Sequence, residues 1–306
     1  MPRYRVIIPT YQAGRHLDAL LLALRAQQLD PRDVLVVDSS SRDDTAERFR
    51  AFGAEVLAIP QSDFNHGGTR RMAVQHCADA EFLIVMTQDA IPAPGAFNRL
   101  LAAFGDIKIG MAYGRQQPRP QARAIERHAR LVNYPDQASV VRRYEDRARY
   151  GVKTTFSSNS FAAYRASALL QIGNFPEESF FGEDQITAGR LLMAGWKLAY
   201  VSEAAAIHSH GYSVMDDFRR YFDIGVFHSR NRWLLESFGR AEGEGLRFIK
   251  SELAYLLKHE PLSIPSAMLR TLLKYAGYRL GMMEARFSPS AKKKLSMAPY
   301  YWDKVR

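Results

Sequence analysis

The sequence predicts an α/β fold: a mixed, mostly parallel central sheet flanked by helices, with a helical extension at the C-terminal end. Three observations predict it. The runs Val6–Pro9, Val34–Val37 and Phe82–Met86 have the unbroken apolar character of strands buried on both faces. Stretches with helical apolar spacing separate them, the alternation that right-handed crossovers produce. Beyond Ser213 the strand signals give way to long helical periods. At 306 residues one large domain or two can be buried. We place the boundary between a sheet domain at 1–212 and a helical region at 213–306.

The chain opens on a short strand, Arg3 to Pro9, followed by a loop over Thr10 to Gly14. Leu17, Leu20, Leu21 and Leu24 then share one face of a helix spanning His16 to Gln27. Strand Asp33–Asp38 ends on an acid, and Ser39 to Thr45 is a cap-rich approach to a helix near Asp44 to Phe52. A third strand covers Ala54 to Ile59. The segment Gln61 to Arg71 reads as a glycine-containing loop before a helical stretch that runs to about Cys77. Strand Glu81–Met86 is the most apolar and runs out through Asp89 to Pro92. Helix Ala96–Phe104 and strand Lys108–Gly114 follow. Arg115 to Arg149, with nine arginines against four acids, reads as an excursion over the sheet whose arginines form either a solvated face or an anion-binding lid. Strand character resumes over Lys153 to Tyr164, a helix covers Ala166 to Ile172, and Glu183-Asp184 opens the helix that runs to Met193. Strands Gly195–Val201 and Ala204–Ile207 end at His208. The remaining helices are Asp216–Phe238, Glu244–Lys258 and Ser263–Arg286.

Composition narrows the function classes. Cys77 is the only cysteine, which excludes an intramolecular disulfide and a cysteine-based zinc site. No apolar run is long enough to cross a bilayer and no secretory leader precedes the first strand, so a cytoplasmic protein is expected. The chain carries ten more basic than acidic residues, and seven of that excess lie beyond Ser213, which favours an anionic partner. A groove-reading nucleic-acid motif is missing, and no nucleic-acid partner is expected. Lys292-Lys293-Lys294 beside Tyr300-Tyr301-Trp302 reads either as a basic and aromatic belt for an anionic membrane surface or as a packed helical tail. Neither the G-x-G-x-x-G pattern nor the P-loop lysine motif occurs, which argues against dinucleotide oxidoreductases and P-loop NTPases.

Several residue clusters have chemistry in them. Asp89 sits where a buried strand leaves the sheet, the edge at which open α/β sheets bind ligands; it is a turn aspartate before proline or a cation ligand. Gly67-Gly68 with Arg70 and Arg71 is a tight turn with solvated arginines or an anion seat, and His66 beside it adds weight to the seat. Glu183-Asp184 is plain helix capping or a base buried by Phe180 and Phe181. Of His208 and His210, which follow the last strand in a loop, one is taken as a ligand.

Together these residues resemble glycosyltransferase family 2, inverting transferases with the GT-A fold, a Rossmann-like sheet. The likeness rests on Val6 to Tyr11, Val36 to Thr45, Gln88-Asp89-Ala90, Gly182-Glu183-Asp184 and His208. Phe64-Asn65-His66-Gly67-Gly68-Thr69-Arg70 is similar to the rhamnosyltransferase branch that builds O-antigen and related bacterial polysaccharides. The resemblance covers roughly residues 3 to 212. It implies a nucleotide pocket at Thr10, Tyr11 and Asp38, with His66, Gly67, Arg70, Gln88 and Glu183 also on the donor side. It implies Mg2+ or Mn2+ held by Asp89 and His208, and Asp184 as the catalytic base. Thr87 stands where the family's metal motif has its first acid, so one carboxylate remains there instead of two. The implied reaction moves L-rhamnose from dTDP-β-L-rhamnose to a saccharide acceptor that is lipid-linked, on the inner face of the cell membrane. The alternatives are the same fold with another nucleotide-hexose, or a non-catalytic nucleotide-sugar-binding protein.

Overall fold

Val34–Asp38 and Phe82–Met86 are buried at every position, as an apolar run without alternation requires of strands covered on both faces. The computed structural model describes residues 3–240 and 243–304. The first half runs β1 (Tyr4–Thr10), α1 (Gly14–Arg25), β2 (Val34–Asp38), α2 (Thr45–Phe52), β3 (Glu55–Ala58), α3 (His66–His76), β4 (Phe82–Met86), β5 (Ile91–Pro92) and α4 (Ala96–Ala102). It continues through β6 (Ile109–Gln117), α5 (Ala124–Asn133), β7 (Val140–Arg142), α6 (Arg147–Tyr150), β8 (Phe161–Arg165), α7 (Ala166–Gln171), α8 (Glu183–Met193) and β9 (Lys197–Ile207). Helices α9 (Val214–Arg230), α10 (Arg232–Phe238), α11 (Glu244–His259), α12 (Ile264–Met282), α13 (Pro289–Leu295) and α14 (Pro299–Lys304) complete the described chain.

The strand order is β3-β2-β1-β4-β8-β6-β9-β5, with β7 also against β9. The expected parallel character is concentrated in β3-β2-β1-β4 and recurs between β6 and β9. β8 enters antiparallel between β4 and β6, and β5 and β7 are antiparallel to β9. Apolar periodicity carries no information on strand direction, which is why the sequence left this mixture unresolved.

Three segments differ from their sequence reading for local reasons. Gly151–Thr155 forms a tight helical turn because the hydroxyls of Thr154 and Thr155 donate to the carbonyls of Gly151 and Val152 at 2.7 Å. The strand expected from Lys153 therefore starts only at Phe161. β9 is one strand instead of two, bent where its register against β6 jumps after Val201. The loop expected over Gln61 to Arg71 is already helix from His66, because Asn65 caps it by accepting from the Gly68 amide at 2.6 Å.

Gly67 and Gly68 thus lie in the first turn of α3, and packing explains them. A Cβ on Gly67 would run into the carbonyl of Pro176, and one on Gly68 would stand 2.6 Å from that of Glu177. Gly67→Ala is expected to lose about 1–3 kcal/mol of stability from this overpacking. Thermal denaturation measures it, and an unchanged midpoint would show that the 176–177 segment yields freely.

The core has two faces. Leu17, Leu20, Leu24, Phe49 and Phe97 cover one side of the sheet. Val74, Leu169, Ile186 and Leu191 cover the other, joined by Phe227, Leu234 and Phe238 from beyond residue 212. Cys77 is buried there, and burial pushes its thiol up to about 11. The C-terminal tail is packed. Trp302 is 3% exposed, Tyr301 stacks on Phe180 at 4.4 Å, Lys292 pairs with Glu284, and Lys293 pairs with Asp303 at 2.7 Å. Tyr301 and Trp302 are packed, whereas Tyr300 is exposed.

Candidate active site

The end of β4 is tied to the end of β1 by Gln88, whose amide accepts from the Tyr11 N–H at 2.8 Å and donates to the Tyr11 carbonyl at 3.1 Å. This fixes the turn that aims Asp89, about one-fifth exposed, into a cleft of about 1620 Å3. His208, the first residue after β9, is buried. Its Nδ1 lies 2.9 Å from Oε1 of Gln116 on β6, and Gln116 Nε2 donates to Ser158 Oγ, which orients the amide. An amide oxygen only accepts, so the His208 Nδ1 carries a proton, and Nε2 faces Asp89 at 3.5 Å. His210 Nε2 stands 3.4 Å from Asp89 and 3.2 Å from His208 Nε2. Ligand atoms of Asp89, His208 and His210 all fall within 4.8 Å of one another. One carboxylate and two convergent imidazoles suit a divalent cation, and the outer hydrogen bond to Gln116 is the support such a histidine needs. Burial opposes ionisation of Asp89, but His208, with Thr87 and His210, holds it well below the usual carboxylate range. Burial and then His208 push His210 down to about 4, leaving it neutral at pH 7.

A second group gathers where α8 begins. Gly182 adopts φ +73°, and a Cβ there would sit 2.5 Å from the Phe227 ring, so the turn into α8 requires glycine. Glu183 is buried against Arg70 of α3 at 3.2 Å and accepts from Asn159 Nδ2 at 3.0 Å. Asp184, half-buried, accepts from the Asn159 and Gln185 amides at 3.2 and 2.8 Å. Burial and then the charge of Glu183 push Asp184 up to about 7 despite those two bonds. His66 completes the group 3.4 Å from Arg70, and burial pushes it down.

Asp38 belongs to a third group, at the ends of β1 and β2. It accepts from Thr10 Oγ1 at 2.9 Å, the Ser41 amide at 2.9 Å and Ser41 Oγ at 2.6 Å. A carboxylate has about four acceptor positions, so these leave roughly one free. His66, Arg70, Asp89, Glu183, Asp184 and His208 line this same cleft. Thr10, Tyr11, Asp38 and Gln88 are not among its lining residues; Gln88, next to Asp89, holds Tyr11, and Thr10 holds Asp38. Gly67 faces Pro176 and belongs to none of these three groups.

Sequence reasoning missed four cleft residues. His210 was set aside because a loop need not keep the shared face of an i, i+2 pair, yet both histidines turn to Asp89. Gln116 and Arg130 meet only through tertiary contact: Arg130 of α5 donates to the Oε1 that also receives His208, at 3.0 Å. Arg220 of α9 donates to the Tyr212 hydroxyl at 3.3 Å and lies over the Phe181 and Tyr212 rings. Neither arginine has a carboxylate partner within the described residues. Among the arginines of the 115–149 excursion, Arg142 is buried beside Tyr113, and Arg119, Arg123 and Arg130 line the cleft, so these depart from a purely solvated face.

The chain matches the family model described as "Glycosyltransferase like family 2" over residues 2–235. It is 40% identical to the O-antigen chain rhamnosyltransferase WbaN of Salmonella anatum, over 100% of this chain and 98% of that protein. It is 41% identical to the O-antigen chain rhamnosyltransferase RfbN of Salmonella typhimurium strain LT2, over 98% and 96% of the two chains. Among solved structures, the mannosyltransferase PcManGT of Pyrobaculum calidifontis, in complex with GDP-Man and Mn2+, aligns with a TM-score of 0.60 at 18% identity over 99% of this chain and 88% of that one. Staphylococcus aureus TarS 1–349 in complex with UDP-GlcNAc aligns at 0.52 and 16% identity over 93% and 91%. The structural likenesses carry the fold, which is the GT-A arrangement. With the match running through the sheet, the cleft and α9, the chain belongs to the glycosyltransferase-like family 2.

Proposed function

We propose that the protein is an inverting, metal-dependent rhamnosyltransferase that moves L-rhamnose from dTDP-β-L-rhamnose to a hydroxyl of a lipid-linked saccharide in bacterial surface polysaccharide synthesis. The observation that carries the mechanism is the placement of one carboxyl raised to about 7, Asp184, on the wall of the cleft that also holds the Asp89, His208 and His210 cluster. The two rhamnosyltransferase relatives, matched along nearly the whole chain, support the sugar.

Asp89, His208 and His210 would hold Mg2+ or Mn2+. When bound, such an ion acts as a Lewis acid toward the departing diphosphate. Arg130 and Arg220 add positive charge beside that cluster, so the leaving group needs no proton from the protein. Asp38, with Thr10 and Tyr11, receives the pyrimidine base, and Gln88 keeps that pocket in register with Asp89. Asp184 accepts the proton of the acceptor hydroxyl as its oxygen bonds to C1 of the sugar and the C1–O bond to the diphosphate breaks. Attack opposite the leaving group inverts the anomeric centre, through an oxocarbenium-like state related to that of glycosidases. A β-linked donor then yields an α-L-rhamnoside, and a retained anomer in the product NMR spectrum would overturn the mechanism.

A donor panel tests the reading. Release of nucleoside diphosphate is expected with dTDP-L-rhamnose and a saccharide acceptor, lost with chelator and restored by Mg2+ or Mn2+. Preference for a UDP- or GDP-hexose would replace the donor, and no release from any donor would favour a binding protein. Asp89→Ala is expected to weaken metal-dependent donor binding, and equal activity with and without chelator would remove the ion.

A further inference from the structure

Helix α12 is built inside out. Its inner face is small: Ala267, Gly277 and Gly281 are buried, and Gly277 and Gly281 lie so close to the backbone of α9 that a Cβ on either would run into a carbonyl of Phe218 or Phe222. Ile264 and Leu280 pack against core side chains, but four of its large apolar residues point outward. Met268, Leu269, Leu272 and Tyr275 repeat at the spacing of one helical face and are each about half to two-thirds exposed. Leu257 at the end of α11 and Leu262 in the turn between the helices extend the stripe, the latter 94% exposed. Isolated exposed leucines need no explanation, but a contiguous helical stripe of them does.

We propose that this α11–α12 face docks on an anionic bilayer surface. Charge supports that occupant. Lys250, Lys258 and Arg279 are exposed along the same helices, and none of them is in an ion pair among the described residues. A large hydrophobic face fringed by cations is what lies in the headgroup plane of an anionic membrane. No helix of the described residues is long and apolar enough to cross a membrane, so the contact is along the surface. Position supports it as well. Leu262 and Tyr275 line the cleft that holds Asp184, so the cleft opens beside the stripe. A saccharide whose lipid stays in the bilayer would enter there. For its purpose the inference rests on the lipid-linked acceptor, but the docking itself is measured without one. It also places the contact away from the 290–302 tail, whose Trp302 is buried.

The test is co-sedimentation of the full chain with vesicles of phosphatidylglycerol and phosphatidylethanolamine, and with phosphatidylcholine alone. The wild type is expected to bind the anionic vesicles and to lose much of that binding in high salt. L269S/L272S, which removes apolar surface without adding charge, is expected to bind about tenfold more weakly or worse, with the wild-type circular dichroism spectrum and unchanged transfer to a soluble saccharide. Equal binding by the variant, or no binding by the wild type, would overturn the proposal. So would a wild-type dimer that the substitutions dissociate while vesicle binding persists, since a second copy would then be the occupant. If the wild type binds vesicles yet transfers rhamnose to no acceptor, the docking face stands and the rhamnosyltransferase reading falls.

Discussion

Asp184→Asn is expected to lower turnover by about 10²- to 10⁴-fold, the usual contribution of a positioned general base, while donor affinity stays nearly unchanged. The amide keeps the shape of the carboxyl and can still accept from the Asn159 or Gln185 amide, so the loss isolates proton transfer. The wild-type rate should rise with pH and level off above about 7, because only the ionised Asp184 accepts a proton. The variant should lack that rise. Stability runs the other way. The native carboxyl is raised above its ordinary value, so folding holds an extra proton between about 4 and about 7, and stability falls as pH climbs through that window. Asp184→Asn should therefore keep or raise the thermal midpoint at pH 8 while losing activity. Steady-state rates, donor calorimetry and thermal melts together decide it; near-normal turnover would remove Asp184 as the base.

The parts of this site that were legible in the sequence are those that local chemistry marks. Asp38 and Asp89 end apolar strands, Glu183-Asp184 opens a helix after Gly182, and His208 follows the last strand; each is visible as a residue type at a boundary. The residues that escaped depend on distant chain. Gln116 orients His208 from 92 positions away, and nothing around it sets it apart from other strand glutamines. Arg130 was one arginine among nine until α5 was placed against β6. Gly67 and Gly68 were ambiguous for another reason. Adjacent glycines do allow a ligand close to the backbone, but here the close neighbour is the carbonyl of Pro176 or Glu177. A glycine pair says that something approaches and leaves open what it is. The tail was equally ambiguous, because a basic and aromatic sequence suits a membrane and a packed helix alike; the structure buries Trp302 and leaves Tyr300 exposed. The exposed stripe of α12 needed the structure most of all, since periodicity gives an apolar face without saying which way it turns.

Glu183→Gln is expected to cost about 3–5 kcal/mol of stability, seen as a fall in thermal midpoint on the order of 10 °C. Arg70 is 2% exposed, its Nε has no partner, and besides Glu183 its Nη1 reaches only the His66 carbonyl and imidazole. Without the carboxylate a guanidinium is left buried and uncompensated, the costly case. The native pair need not be stabilising overall, because desolvating both charges opposes their attraction. Arg70→Met/Glu183→Gln should therefore recover much of what the single substitution loses, a coupling that a double-mutant cycle measures. Burial works to raise Glu183, yet Arg70 and His66 hold it below its ordinary value. Its contribution to stability is thus complete above about 4.5 and is lost as pH falls through the lowered value, so Glu183→Gln should flatten the acid side of the stability curve. The same charge raises Asp184. Removing it should move the rise of the rate profile to lower pH, an effect that a purely structural ion pair next to the base would not produce. A variant with the wild-type melting point and profile would mean that Glu183 neither braces α3 against α8 nor tunes the base, and Asp184 would then owe its raised value to burial alone.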